Sequence, residues 1–254
     1  MSLTGLAGIG TIYMAPVDSA GVKTGSYRKV GNAYPFSIQP STSQKKQVSR
    51  LHDTAGQTLH VKTSLDDTIG SLTLKQWNAQ NLAYALSGAA VALTGAGGTV
   101  TDEVVTALAA GEFEELANPN VSAVVVKDVT DATTYILGTD YVLDAELGMV
   151  AIIAGNGIDA ADVLHISYTY AAESGYQVNI GTNTIIRVAI KANLQNEYGG
   201  DKWQAEFYSV VLASNAEINF ISEPESEGEE IPFTLSFETP TGKTTCGVIN
   251  GVPM

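Results

Sequence analysis

The sequence predicts a mainly β protein that has one α-helix and carries a smaller β-rich unit inserted into its chain. Apolar and polar residues alternate with a period of two over much of the 254 residues, and only one segment has the spacing of an amphipathic helix. Charge is also distributed very unevenly along the chain. A content of 44% hydrophobic and 16% charged residues is typical of a globular protein with a buried core.

The charge distribution predicts the domain organisation. Residues 1–99 contain eight Lys/Arg and four Asp/Glu. Residues 100–180 contain one Lys/Arg and thirteen Asp/Glu, and residues 181–254 contain four Lys/Arg and ten Asp/Glu. Such asymmetry indicates a modular chain. We therefore expect one discontinuous domain from residues 1–99 and 173–254, with a β-rich domain, a small sandwich, inserted at residues 100–172.

Alternation predicts the strands of the discontinuous domain. In Ile231–Glu238, for example, Ile231, Phe233 and Leu235 lie on one face and polar residues on the other. The predicted strands are Thr11–Pro16, Tyr34–Ile38, Leu59–Lys62, Thr184–Gln195, Asp201–Tyr208 and Ile231–Glu238. Pro35 places the second of them at a sheet edge or a strand end.

A helix is predicted after Thr73. Thr73 to Gln76 fits a capping box, in which Gln76 reaches back to the N-cap. Apolar residues from Leu74 to Ala85 then recur at helical spacing, and Gly88 is a suitable residue to end the helix.

The inserted domain is predicted from short apolar runs separated by glycine turns. Its expected strands are Val121–Lys127, Thr133–Leu137, Tyr141–Asp144, Met149–Ile153 and Val163–Tyr170. Residues 89–99, rich in glycine and other small residues, are predicted to be a linker, and residues 223–230 an acidic loop.

Residues 39–58 are polar, locally basic and long for a connection between two strands. A segment of this length within a compact domain is usually functional or mobile. It is either an extended hairpin arm or a disordered surface loop.

The motifs that could carry catalysis are incomplete. Gly242, Lys243 and Thr244 resemble the end of a phosphate-binding loop, but Phe237 stands where the first glycine belongs. The histidines His52, His60 and His165 are far apart in sequence and are expected to be surface residues. Since Cys246 is the only cysteine, no disulfide can form within the chain. We therefore expect no enzyme, no cofactor and no metal site.

The composition also bears on partners and location. A strong acidic excess argues against nucleic-acid binding, which requires clustered Lys/Arg. No apolar run reaches the roughly 18 residues that cross a bilayer, and no secretion signal is visible, so we expect no membrane partner and folding in a reducing cytoplasm.

Five stretches resemble segments of the major tail tube proteins of long-tailed bacteriophages of the siphophage type. They are Gly10–Val17, Tyr27–Ala33, Trp203–Leu212, Ile231–Phe237 and, within the insert, Thr134–Asp144, which is similar to β modules that recur in phage tail proteins. The insert departs from the minimal pattern of that family.

The resemblance implies a structural role. A tail-tube β-sandwich or barrel with one flanking helix would form rings, typically hexamers, that stack into a hollow tube through which DNA passes without specific binding. The partners would be other copies of the chain and the tape measure, tail terminator and distal tail proteins. The location would be the virion tail, after assembly in the host cytoplasm, and the insert would lie on the outer surface.

The resemblance also implies a role for the long hairpin, here residues 39–58, which would reach the neighbouring ring. Its candidate contact residues are Lys45, Lys46, Arg50, His52 and Asp53, and the three basic ones would meet acidic residues of the next ring. The lumen is expected to be acidic, although the resemblance does not identify the residues that face it.

Two alternatives remain open. The chain could be a two-domain β-sandwich module that binds carbohydrate or a cell-surface partner, with Tyr141, Tyr168 and Tyr170 as an aromatic platform. It could also be a tube subunit of a contractile injection machine, which would have the same fold.

Overall fold

A computed structural model describes residues 8–198, 202–214, 217–221 and 230–252 of the chain. Strands make up 58% of it and helix 3%, which confirms the predicted mainly β class. The chain divides into two compact units, one formed by residues 1–91 and 178–254 and the other by residues 92–177. The predicted insert, residues 100–172, lies within the second unit.

The first unit is built on an eight-stranded sheet and one short helix. Its elements are β1 (Gly8–Pro16), β2 (Arg28–Lys29), β3 (Ala33–Val48), β4 (Thr58–Leu74) and α1 (Ala79–Ala85). After β5 (Ala89–Gly95) the chain forms the second unit with β6 (Gly98–Thr106), β7 (Phe113–Glu115), β8 (Val121–Asp128), β9 (Thr134–Tyr135), β10 (Tyr141–Asp144), β11 (Met149–Ile152) and β12 (Val163–Tyr170). It returns through β13 (Glu173–Asn179) to β14 (Ile186–Asn196), β15 (Lys202–Ala213), β16 (Ile231–Glu238) and β17 (Gly247–Val252).

The strands of the large sheet follow the order β2-β1-β14-β15-β16-β4-β3, and β17 pairs with the first half of β15. The two end strands of this path, β2 and β3, are joined by only three residues, Val30 to Asn32. The Val30 N–H donates to the Ile12 carbonyl at 3.1 Å, and the Lys75 N–H donates to the Asn32 carbonyl at 2.8 Å. The connection between the two end strands is therefore hydrogen-bonded to β1 and to the residue that follows β4.

The core of the first unit lies on one face of this sheet. The period-two prediction holds in β14, where Ile186, Val188 and Ile190 are buried, and in β16, where the buried side chains include Ile231 and Leu235. The cluster also includes Met14, Leu72, Leu74, Phe207, Val210, Leu212 and Phe233. Burial of these apolar surfaces is the main stabilising contribution of the unit.

The predicted start of the helix is wrong. Thr73 and Leu74 belong to β4, and α1 begins after Asn78, whose side chain accepts a hydrogen bond from the Asn81 N–H at 2.9 Å. The apolar residues at 72 and 74 fit a strand as well as a helix, and pairing with Ile231 and Phe233 of β16 selects the strand.

The helix also ends differently from the prediction. Ser87, rather than Gly88, adopts the left-handed conformation, with a φ of 48°. Gly88 is needed for another reason: a Cβ at this position would lie 2.3 Å from the Asn179 carbonyl oxygen.

Arg28 connects the helix to β2. Its guanidinium lies over the Tyr84 ring, 5.1 Å from the centroid, and its Nη1 donates to Asn81 Oδ1 at 2.8 Å. Burial lowers the pKa of Arg28. The Asn81 side chain in turn donates to the Val30 carbonyl at 3.0 Å, so this polar network holds α1 against the segment that joins β2 and β3.

Residues 89–99 are not the predicted linker. Most of them belong to β5 and the start of β6, and β5 pairs with β13. Small residues do not prevent strand pairing when a neighbouring strand supplies the backbone hydrogen bonds. Of the predicted acidic loop, residues 223–229 lie outside the described residues, and Glu230 forms an ion pair with Lys75.

The second unit has its own core between a four-stranded sheet, β6-β12-β8-β9, and a three-stranded sheet, β10-β11-β7. Its fully buried members include Val126, Tyr141, Leu164, Ile166 and Tyr168. Tyr141 and Tyr168 are only 2% and 1% exposed, so they cannot serve as an exposed aromatic platform.

Candidate functional site

A long hairpin extends β3 and β4 beyond the large sheet. β16 pairs with β4 only over residues 68–74, whereas β3 pairs with β4 along most of its length, from Ala33 opposite Leu74 to Val48 opposite Thr58. Residues 41–67, which we call the distal ribbon, therefore form a two-stranded structure with its end turn. The segment left open between an arm and a disordered loop is an ordered hairpin.

The end of the distal ribbon is fixed by hydrogen bonds around Ser49, which is 2% exposed. The Ser49 hydroxyl bonds to the Thr54 hydroxyl at 2.7 Å and accepts from the Leu51 N–H at 3.2 Å. The backbone N–H of Ser49 donates to the Gln57 carbonyl at 2.8 Å, and Gly56, with a φ of 87°, donates to the Ser49 carbonyl. These bonds close the nine-residue connection without help from another part of the chain.

One face of the distal ribbon is basic. Directly paired residues of antiparallel strands lie on the same face, and Lys45 pairs with Lys62. The next pair on this face is Gln47 with His60. In the part of the chain that the structure describes, no carboxylate forms an ion pair with any of the basic residues Lys45, Lys46, Arg50 and Lys62.

The opposite face of the distal ribbon combines apolar residues of β4 with polar residues, which are Thr63 on β4 and the facing Thr42, Gln44 and Lys46 on β3. Three apolar residues of β4 lie on it. They are Leu59, Val61 and Leu65, and their exposed fractions are 55%, 49% and 74%, respectively. Lys46 lies directly opposite Val61 on this same face. A further apolar residue, Leu51, is 72% exposed in the end turn. Contiguous exposed apolar patches are a common feature of surfaces that contact other molecules, and these residues are candidates for such a contact.

Part of this surface was predicted from the sequence. The structure places the predicted residues Lys45 and Lys46 on β3, and Arg50, His52 and Asp53 in the end turn. His52 Nδ1 lies 3.0 Å from Asp53 Oδ1, and both side chains are fully exposed. Lys62 and the apolar row on β4 were missed, because their position depends on the register between the two strands.

The polar face of the large sheet carries paired charges. Arg187 donates from Nε to Glu238 Oε2 at 2.9 Å and from Nη2 to Oε1 at 3.3 Å, and the Ser209 hydroxyl also donates to Glu238. These hydrogen bonds lower the pKa of Glu238, and the hydrogen bond from Arg187 has the largest effect. Lys191 pairs with Glu206 at 3.2 Å, which raises the pKa of Lys191.

A second basic cluster lines a surface depression of about 380 Å³. Lys23 and Lys191 lie over the Tyr27 ring, at 4.9 and 5.3 Å from its centroid, and Lys243 lies 4.4 Å from the centroid of Tyr208. Such cation–π contacts hold the ammonium groups over the rings, and Glu206, the ion-pair partner of Lys191, lines the same depression.

The remaining sequence candidates have ordinary surroundings. Gly242, with a φ of 84°, lies in a turn closed by a hydrogen bond from the Lys243 N–H to the Pro240 carbonyl at 3.1 Å. Cys246 is half-buried. Among the described residues, no helix is long and apolar enough to cross a membrane.

Comparison with known proteins gives one family. The model of a family described as "Protein of unknown function UCP028589" matches residues 6–243, which covers most of the chain and both units. No curated protein matches the chain.

Proposed function

The chain belongs to this family, and we propose that it is a structural subunit that assembles with copies of itself into the tube of a bacteriophage tail. The observation that carries the proposal is the distal ribbon, which exposes a basic face and, on its other face, three apolar residues of β4. Among the described residues, no other strand pairs with it.

The energetics of the distal ribbon support a partner. An isolated two-stranded hairpin is at best marginally stable in water. This ribbon also exposes Val61 and Leu65 and places Lys45 opposite Lys62, two features that favour burial against another surface. A neighbouring subunit that covers the apolar row and supplies carboxylates would satisfy both.

The charge of the chain supports a second copy as this partner. The distal ribbon contains four Lys/Arg and three Asp/Glu and so has a net charge of +1, whereas the whole chain has a net charge of −14. A basic ribbon on an acidic protein is complementary to the other copies of the same protein. Charge complementarity of this kind favours correct register and rapid association more than it adds affinity.

We propose further that the copies form rings, with six as the expected number, and that the distal ribbon contacts the next ring. The large sheet would form the sandwich or barrel of the subunit, which is supported by the short connection between its two end strands. The second unit would lie on the outer surface. In the virion tail, the tube would contact the tape measure, tail terminator and distal tail proteins.

The conduit function follows from the same proposal. The large acidic excess supports a lumen that DNA crosses without sticking, because binding to DNA requires clustered cations to replace its counterions. A contractile injection machine would use the same subunit geometry. The binding-module alternative receives no support from Tyr141 and Tyr168, since both are buried.

The proposal is tested by negative-stain electron microscopy and light scattering of the purified full chain over a range of concentrations. We expect rings or hollow tubes whose mass is a multiple of 26.6 kDa. A strict monomer at every concentration would contradict self-assembly.

Variants then test the distal ribbon itself. Replacing both Val61 and Leu65 with threonine keeps residues that favour strands but removes the apolar row, and it should abolish stacking of rings. The matched control is Val104→Thr in β6, a valine that is 64% exposed in the other unit. Equal assembly of the double variant and the control would show that the ribbon is not the contact.

A further inference from the structure

Three metal-ligating side chains meet on the surface of the second unit, although they are far apart in sequence. Asp102 lies on β6, Asp131 in the turn between β8 and β9, and His165 on β12. One potential ligand atom from each lies within 4.8 Å of those from the other two. We propose that these three residues bind a divalent transition-metal ion such as Zn²⁺. This inference does not depend on the proposed tube function.

The spacing of the three groups fits such an ion. Zn²⁺ binds histidine nitrogen and carboxylate oxygen at about 2.0–2.2 Å, which places the ligand atoms of a tetrahedral site about 3.3 Å apart. The His165 Nδ1 atom already lies 3.2 Å from Asp131 Oδ1. Asp102 is exposed, and its ligand atom lies within 4.8 Å of those of the other two residues.

A bulge in the sheet brings Asp102 to this position. The register of β12 shifts against β6 between Ile166 and Tyr168. Two residues of β6, Thr101 and Asp102, therefore lie opposite the single residue Ser167 of β12. Asp102, with a φ of 52°, lies in this bulge. Its N–H donates to the Ser167 hydroxyl at 3.0 Å, and that hydroxyl donates to Asp102 Oδ1 at 3.1 Å. Bulges commonly redirect side chains in this way next to functional sites.

Asp131 is held by the turn that precedes β9. Its N–H donates to the Asp128 carbonyl at 2.9 Å. The Asp128 carboxylate accepts hydrogen bonds from the Thr130 hydroxyl and the Thr133 N–H, which keep its pKa low. Asp128 is therefore engaged in shaping the turn, and Asp131 projects towards His165.

The imidazole of His165 distinguishes this site from a patch of acidic residues alone, because it offers a nitrogen ligand. His165 is flanked in β12 by the buried residues Leu164 and Ile166, and its own side chain is only 20% exposed. A neutral imidazole with two carboxylates carries a charge of about −2, which a divalent ion neutralises. Zn²⁺, Co²⁺ and Ni²⁺ accept nitrogen together with oxygen ligands, whereas Mg²⁺ and Ca²⁺ prefer oxygen alone.

The test is calorimetric titration of the purified full chain, freed of metal by a chelator, with ZnCl₂ and separately with CoCl₂. We expect saturable binding of one ion per chain and visible absorption bands from the Co²⁺ complex. His165→Gln should weaken binding about 100-fold, since changes to groups that merely support a metal ligand already cost 10–100-fold. His60→Gln, which removes an exposed histidine of the distal ribbon, should leave binding unchanged.

A second variant keeps the test decisive if His165→Gln fails to fold. Asp102→Asn with Asp131→Asn alters two exposed positions, and circular dichroism should show that the fold is retained while Zn²⁺ binding is lost. Absence of saturable binding in the natural chain would overturn the proposal, as it would mean that His165 and Asp131 form an ion pair only. Undiminished binding in His165→Gln, or equally tight binding of Ca²⁺, would overturn it as well.

Discussion

Lys45 and Lys62 lie directly opposite each other on the same face of the distal ribbon. Like charges in directly opposite positions destabilise an antiparallel pair, typically by a few tenths to about 1 kcal/mol. No carboxylate in the described chain forms an ion pair with either lysine. The arrangement is unfavourable in the isolated subunit and becomes favourable when an acidic surface covers it.

Reversing one of these charges should therefore have opposite effects on folding and on assembly. With Lys62→Glu, we expect the ribbon to gain up to about 1 kcal/mol, seen as slower amide hydrogen exchange, because the new carboxylate pairs with Lys45. Assembly measured by light scattering should become weaker and less sensitive to salt. The control is Lys127→Glu in the second unit, and equal assembly of the two variants would argue against an acidic partner surface.

The Glu238 carboxylate should make stability depend on pH in the acid range. Its pKa is lowered by the hydrogen bonds from Arg187 and Ser209, so its contribution is present above the pKa of an unfolded glutamate, about 4.3, and is lost as the pH falls through the folded value. Because the side chain is 39% exposed, solvent screens the interaction and Glu238→Gln should cost at most about 1 kcal/mol at pH 7.

Urea denaturation at a series of pH values measures this effect. The difference between the natural chain and Glu238→Gln should shrink as the pH falls below the pKa of an unfolded glutamate, about 4.3, whereas the exposed control Glu112→Gln should leave stability at pH 7 unchanged. A difference that persists undiminished in acid would exclude the ionised Arg187–Glu238 pair as its cause.

Removing the Tyr168 hydroxyl should destabilise the second unit. This buried hydroxyl donates to Glu103 Oε2 at 2.5 Å and accepts from Asn118 Nδ2 at 3.2 Å. A hydrogen bond to a charged group contributes roughly 1.5–3 kcal/mol, so Tyr168→Phe should lower the free energy of unfolding by about that amount. Denaturation followed by circular dichroism measures the loss.

Tyr168 should also make the stability of the second unit depend on pH in the alkaline range. Burial, followed by the hydrogen bond to Glu103, raises the pKa of Tyr168, so its stabilising contribution is complete below about pH 10 and declines as the pH rises towards the folded value. Tyr168→Phe should remove part of this decline. Tyr170→Phe, which alters the ring packed edge-on against Tyr168, is the control and should retain it.

Gly88→Ala should destabilise the first unit because of a steric clash with the backbone. The added Cβ would lie 2.3 Å from the Asn179 carbonyl oxygen, and a backbone atom cannot move aside as a flexible side chain can. Overpacking of this kind typically costs about 1–3 kcal/mol. Gly175→Ala has open space around its Cβ and should leave the thermal midpoint unchanged or slightly raised. Equal midpoints for the two variants would contradict the close approach of Gly88 to Asn179.

Much of the β architecture could be read from local alternation. Ile231, Phe233 and Leu235 are buried on one face of β16, as their spacing predicts, since a strand presents alternate residues to opposite sides. Pro35 lies on β3, which is at the edge of the sheet. The polar stretch at residues 39–58 was also recognisable as too long for an ordinary connection between two strands.

The β class, the unequal charge of the segments and the position of a long, locally basic connection could be read from the sequence, because these depend on the period and charge of neighbouring residues. Whether that connection is a hairpin arm or a disordered loop could not. Tertiary structure decided what depends on partners remote in the chain. Pairing with β16 made Thr73 and Leu74 part of a strand, and pairing with β13 did the same for the small residues of β5. The register of β3 and β4 placed Lys62 opposite Lys45. A bulge in β6 brought Asp102 close to His165, and no local pattern encodes a contact between residues so far apart in the chain.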